Sequence, residues 1–190
     1  MIQVVLDIND KYSLSEMAQM AIEAGVQWLV LAPGISEAER REHYPTLVEM
    51  CREAAVFLTA TADIAAAKEY GLHGVLIDGA SEAPAKVRED LGPEAVIGVI
   101  SDNPTIAPEL ERADIDYVQT RPSNIDTETI AAIRATGAKI PLVAYVADAQ
   151  PDIVPELMAK GISGVCCGAS VFAHKDPTAP LETILAATVG

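Results

Sequence analysis

Residues 96–120 read Val96-Ile97-Gly98-Val99-Ile100, Ser101-Asp102-Asn103-Pro104, Thr105-Ile106-Ala107-Pro108-Glu109-Leu110-Glu111-Arg112, Ala113-Asp114-Ile115-Asp116 and Tyr117-Val118-Gln119-Thr120. A short run rich in Val and Ile gives way to a turn, then to a helical pattern, then to a second short run. A strand so apolar is buried on both faces, the condition of a parallel strand covered by helices. Asp102-Asn103-Pro104 is turn or N-cap sequence. A strand, a helix and a second strand in this order predict one right-handed crossover unit.

The same alternation extends in both directions. Apolar runs occur at Ile2–Ile8, Trp28–Ala32, Val56–Thr59, Gly74–Ile77, Ile140–Tyr145 and Gly164–Cys167. Between them lie helical patterns at Ser36–Ala54, Thr61–Tyr70, Glu82–Leu91, Asp126–Thr136 and Pro151–Lys160, with a last helix at Leu181–Thr188. Ser13-Leu14-Ser15-Glu16 reads as a capping box that starts a helix ending at Gly25. Gly71, Gly92, Gly137 and Gly161 stand at four helix exits. Eight strand–helix units of roughly 24 residues each predict an α/β fold, a single (β/α)8 TIM barrel over residues 1–190 with minimal loops. The competing architecture is a doubly wound sheet of six or seven strands. Its Rossmann form is disfavoured, because Asp7-Ile8-Asn9-Asp10 follows the first strand where Gly-x-Gly-x-x-Gly would stand.

Charge narrows the partners. Thirteen Lys and Arg against 28 Asp and Glu leave a net charge of −15, which repels nucleic acid and anionic membrane. Half of the 190 residues are apolar and the mean hydropathy is +0.23, so the chain is not intrinsically disordered. No apolar run approaches the ~18 residues of a membrane span, and the start lacks a basic leader, so a cytoplasmic protein is expected. Cys51, Cys166 and Cys167 form neither a disulfide framework nor a Cys-x-x-Cys motif, and the adjacent pair reads as small buried hydrophobes.

In a barrel of this kind the site gathers at the C-terminal ends of the strands. Those ends are Asp7 and Asn9, Ala32 and Gly34, Thr59 and Thr61, Asp78, Ser101 and Asp102, Gln119 and Arg121, Tyr145 and Asp148, and Gly168 and Ser170. Gly168-Ala169-Ser170 is either a phosphate-binding turn, whose small residues admit an anion to the backbone N–H groups, or a tight strand-to-helix turn. Arg121 is the cation at the mouth, either a clamp on phosphate or carboxylate or the partner of Asp148 or Asp102. Asp7, Asp78, Asp102 and Asp148 are candidates for metal binding or proton transfer, with turn and cap roles as the alternative; Asp7, placed in an inward strand, is the least explained by capping. Thr59 and Asp102 are further candidates for ligand contact. No Ser-His-Asp or Cys-His set is legible, and only Lys11 and Lys175 lie in loops where a Schiff base would need them.

Leu91-Gly92-Pro93-Glu94-Ala95-Val96-Ile97-Gly98-Val99, Asp116-Tyr117-Val118 and Ile140-Pro141-Leu142-Val143-Ala144 resemble the thiamine phosphate synthase family, which includes thiazole tautomerases. The register carries from Ala24-Gly25-Val26 to Gly161-Ile162-Ser163-Gly164-Val165. The resemblance implies a (β/α)8 barrel, often a homodimer, that binds phosphorylated thiamine precursors and uses magnesium. The family's active-site residues are replaced. Its Q-x-R-x-K, which holds the pyrophosphate-bearing pyrimidine, falls on Val30, Ala32 and Gly34. Its magnesium carboxylates fall on Thr59-Ala60 and on Ser81, with Asp78 three residues earlier. The Ser of its G-V-S becomes Ile100, and its Gly-Gly after the seventh strand is Val146-Ala147. Its G-P-x-F-x-T-x-T-K loop reads Arg121-Pro122-Ser123-Asn124-Ile125-Asp126-Thr127, without the lysine, and the tautomerase histidine aligns near Pro122. The expectation is a barrel that binds a small phosphorylated molecule without the usual synthase chemistry. The alternatives are another barrel lyase or isomerase using Asp7, Asp78 and Arg121, or a non-catalytic binding or regulatory protein.

Overall fold

The structure, a computed structural model, describes residues 1–79, 83–147 and 151–189. Strands β1 (Ile2–Leu6), β2 (Trp28–Leu31), β3 (Phe57–Thr61), β4 (Gly74–Asp78), β5 (Val96–Ile100), β6 (Tyr117–Thr120), β7 (Leu142–Val146) and β8 (Gly164–Cys167) pair in chain order, all parallel. The β8 strand closes onto β1 through Ile2↔Val165, Gln3↔Cys166 and Val4↔Cys167. Helices α1 (Leu14–Glu23), α2 (Glu37–Ala54), α3 (Ile64–Tyr70), α4 (Pro84–Leu91), α5 (Ala107–Arg112), α6 (Thr127–Ala135), α7 (Val154–Ala159) and α8 (Thr178–Val189) alternate with them. The fold is therefore the closed (β/α)8 barrel, not the open doubly wound sheet. Ser81, Glu82, Asp148 and Gln150 lie outside the described residues, and with them Asp148 as a partner of Arg121 and Ser81 as a metal position.

Period-two alternation gives each strand two buried faces. Leu29, Leu31, Leu58, Val75, Ile77, Ile97, Val99 and Val118 belong to the layer between strands and helices. Val30, Leu76, Tyr117, Val143 and Cys166 fill the barrel interior, with Val5, Trp28, Val96, Ile100 and Tyr145 packed on them. Trp28 lies 5.2 Å edge-on from Tyr117, and its Nε1 donates to Thr59 Oγ1 at 3.0 Å. Gly98 is required here: a Cβ on it would lie 2.2 Å from Tyr117 Cζ.

Local signals set most of the boundaries. Ser13 and Ser36 each close a capping box, with Glu16 and Glu39 returning the bond, and Asp126 accepts from Thr129 N at 2.7 Å to start α6. Four boundaries differ from expectation for identifiable reasons. β1 ends at Leu6 because Asp7 Oδ1 takes Ile8 N and Asn9 Oδ1 takes Lys11 N and Tyr12 N, turning the chain. Thr61 belongs to β3, and α3 starts only where Asp63 Oδ1 accepts from Ala66 N. β7 starts at Leu142 rather than Ile140, after Pro141, which has no N–H to give a ladder. The last helix starts at Thr178 rather than Leu181, where Asp176 Oδ1 accepts from Thr178 N at 3.1 Å.

All three thiols are buried and unpaired by disulfide, as expected of small core residues. Burial pushes Cys51 up to about 11 and Cys167 to about 12, and raises Cys166 well above its ordinary value.

Candidate site at the barrel mouth

A pocket of about 810 Å³ opens over the C-terminal ends of the strands. Its apolar wall is made by Val5, Val30, Leu76 and Ile100, the inward residues just below the rim, and Tyr145 completes it. Thr61, Asp78, Ser101, Asp102, Asn103, Gln119, Thr120 and Arg121 add polar groups.

β6 and the residue after it contribute Gln119, Thr120 and Arg121, and the alternation of the strand explains how Gln119 enters the pocket. Tyr117 and Gln119 share the inward parity, so Tyr117 fills the interior while Gln119, one step higher, meets the pocket. The chain then leaves the strand at Arg121, held extended by the following Pro122. Arg121 Nε lies 3.1 Å from Asp102 Oδ1 across the rim, with the side chains 71% and 67% exposed. Of the two partners proposed for Arg121, this is the one within the described residues. Asp102 does not cap the next turn. Asn103 does so, accepting from Thr105 N at 3.1 Å.

Gln119 is 5% exposed and Thr120 3% exposed. Gln119 Oε1 and Thr120 Oγ1 have no hydrogen-bond partner among the described residues. An orphaned buried acceptor costs about 1–3 kcal/mol. Deeper in the barrel the Gln3 side chain stands by the Tyr117 hydroxyl, and burial raises the Tyr117 phenol far above its ordinary value.

Of the candidates read from sequence, Asp78, Asp102 and Arg121 line this pocket together. Asp7, Thr59, Gly168, Ala169 and Ser170 do not appear in its described lining. Asp7 is not in an inward strand: it follows β1, exposed, in the turn toward Asn9. Thr59 is fully buried beneath the pocket, its hydroxyl taken by the Trp28 indole, and Thr61 is the β3 residue at the wall. Gly168 stands behind Tyr145, where a Cβ would meet Tyr145 Oη at 2.9 Å and Ala147 O at 2.4 Å. The Ser170 hydroxyl donates to Ala147 O, so this turn clasps the end of β7. Lys11 Nζ donates to the carbonyls of Phe172 and His174, tying the first loop to the last. Thr61, Ser101, Gln119 and Tyr145 also line the pocket, and sequence reading named them as strand ends without giving them a role; Gln119 is the one among them with an unpartnered buried atom among the described residues. Its signal was a carboxamide at an inward position of a buried strand.

The described residues do not suit the magnesium that the resemblance implies. Ala60, one of the positions in question, is a buried methyl group in the outer core, and Thr61 beside it carries no carboxylate. Asp102 already faces a guanidinium, and no group of three His, Cys, Asp or Glu side chains that could hold a metal occurs among the described residues.

The fold and the pocket define a (β/α)8 barrel with a ligand cleft at the strand C-termini, the location such barrels use for binding and catalysis. A family model described as "Thiamine monophosphate synthase" matches residues 2–171. The chain belongs to that family. It is 23% identical over 201 residues to a thiamine-phosphate synthase of Bacteroides thetaiotaomicron, covering 97% of this chain and 95% of the relative. It is 29% identical over 180 residues to one of Natronomonas pharaonis, covering 87% and 83%. Among solved structures, thiamine phosphate pyrophosphorylase from Pyrococcus furiosus superposes with a TM-score of 0.84 at 20% identity, over 99% of this chain and 95% of that one. No helix among the described residues is long and apolar enough to cross a membrane.

Proposed function

We propose that this chain uses the barrel-mouth pocket to hold a small phosphorylated heterocycle of the thiazole phosphate or thiamine phosphate type, and that the usual synthase reaction is not retained. The observation that carries this reading is Arg121 at the rim of an apolar-walled pocket, the one Lys or Arg in its described lining. A guanidinium there suits a phosphate, while the apolar wall suits the faces of a ring. The names of the relatives supply the ligand class. The loss of synthase chemistry is argued from charge. Departure of a diphosphate depends on positive charge placed where negative charge develops. Val30, a residue the family fills with part of its pyrophosphate-holding motif, presents an aliphatic side chain to the pocket, and Ala60 replaces a metal carboxylate position with a methyl.

The test is a thermal-shift panel of inorganic phosphate, pyrophosphate, thiazole phosphate, thiamine phosphate and simple sugar phosphates, each with and without magnesium. A ligand at ~100 times its dissociation constant adds about 2.7 kcal/mol of stability, a readable shift. A response to the thiazole or thiamine phosphates supports the reading, and a flat panel removes it. Formation of thiamine phosphate from its two precursors at an ordinary enzymatic rate would overturn the second half. A lyase or isomerase acting through Asp78 and Arg121 is the second reading, favoured by their sharing one cavity. It requires turnover of a bound ligand that Asp78→Asn abolishes.

A further inference from the structure

The apolar side chains beside Gln119 in the pocket, Val5, Val30, Leu76 and Ile100, carry no polar atom that could serve its amide. Among the described residues nothing else donates to its Oε1, so folding leaves that acceptor unpaired. Buried polar groups in native proteins are almost always partnered, so a lone acceptor in a ligand pocket points to a partner that arrives with the ligand. The surroundings restrict what that ligand is. A flat ring presents its apolar faces to the wall of Val5, Val30, Leu76 and Ile100 and keeps its polarity on its edge, where Gln119 and the polar groups of the mouth stand. Arg121 follows Gln119 by two residues of extended chain just past the end of β6, a rise of about 7 Å, so one small ligand spans both with a ring at the amide and an anion at the rim.

We propose that Gln119 is the specificity-determining residue of this pocket. Its Oε1 accepts a hydrogen bond from an N–H or amino group on the edge of a heteroaromatic ring lying against Val5, Val30, Leu76 and Ile100. The inference rests on the reading that the pocket takes a phosphorylated heterocycle, and it names the edge by which the ring is selected.

The experiment is titration calorimetry on the full chain with three probes: thiamine phosphate, which carries a ring amino group; its desamino analogue, with hydrogen in place of that amino group; and thiazole phosphate, which has no N–H donor. Wild type should bind thiamine phosphate about tenfold or more tightly than the desamino analogue, the scale of one buried hydrogen bond. Gln119→Leu should lose that preference and leave the affinity for thiazole phosphate unchanged. Gln119→Glu, which keeps an acceptor, should restore much of the preference. Because Gln119→Leu removes an orphaned acceptor, its melting temperature should equal or exceed that of wild type. If it does not fold, the comparison of amino and desamino ligands on wild type still decides the matter. Equal binding of those two ligands overturns the inference while leaving the phosphate reading intact, as does an equal loss for all three probes in Gln119→Leu. If no phosphorylated probe binds wild type, the phosphate reading fails, and saturation-transfer NMR with 4-aminopyrimidine decides the role of Gln119. A signal lost in Gln119→Leu upholds the role, and no signal or one that persists overturns it.

Discussion

Arg121 illustrates how little a charged pair at a rim contributes to folding and how much it can matter to a ligand. Its contact with Asp102 is made by two side chains more than two-thirds exposed, where water screens the attraction. Arg121→Ala should therefore change stability by no more than about 0.5 kcal/mol. The same substitution should reduce the thermal shift produced by phosphorylated ligands to that of buffer. An unchanged ligand response would place the anion elsewhere, with the Gly168–Ser170 turn the next candidate. Gly98 is the opposite case, a residue that touches no ligand but admits the Tyr117 ring. Gly98→Ala forces that ring or the β5 backbone to move and should cost about 1–3 kcal/mol in chemical denaturation. A neutral result would mean that the aromatic cluster around Trp28 has room to shift.

At the scale of elements, the helix starts are the most legible part of this chain and among the most testable. The capping box of Ser13 and Glu16 satisfies two backbone donors at the head of α1. Ser13→Ala should cost about 1 kcal/mol, which lowers the melting temperature of a domain this size by about 2–4 °C. Hydrogen bonds at the helix starts hold three carboxyls below their ordinary values, Glu16 and Glu39 accepting from Ser13 and Ser36 and Asp126 from Thr129. Their contribution is thus present above the ordinary carboxylate range and lost as pH falls through their lowered values. Caps are readable because they depend on residues three apart. Strand ends are harder. Asp7 continues the alternation of β1 on paper, yet Asn9 draws the backbone into a turn and carries Asp7 away from the pocket. Hydrogen bonding by side chains in the loop, not hydropathy, decided that boundary.

At the scale of the whole molecule, the closed barrel places three thiols where their charged forms are disfavoured. A free thiol titrates near 8.5 in the unfolded chain, while Cys51 and Cys167 are held to about 11 and about 12. Between those limits the folded state carries more protons, so stability falls as pH rises above about 8.5, by up to about 1.4 kcal/mol per pH unit for each thiol. Tyr44, raised to about 12, adds to the loss from about pH 10 upward. Equilibrium unfolding between pH 7 and 10 should show the decline, and an aromatic disulfide reagent should find no thiol until the protein unfolds. Rapid reaction of a native thiol would contradict the burial of all three. The barrel also explains why its polar interior was hard to foresee. Trp28, Thr59 and Tyr117 lie on three different strands, and only closure brings the indole, the hydroxyl and the phenol into one layer.

Read by itself, the sequence determined the alternation of strands and helices in eight units, because hydrophobic period, caps and glycine exits are local properties, and the stretches at 91–99, 116–118 and 140–144 carried the resemblance to the family. It also named Asp78, Asp102 and Arg121 as strand-end groups. Only the tertiary structure decided that these three share a cavity with Gln119, that Arg121 meets Asp102, and that Thr59 is sealed beneath the floor. Those facts depend on the register of strands far apart in sequence and on which way each loop turns after its strand, and neither is encoded in any single stretch of the chain.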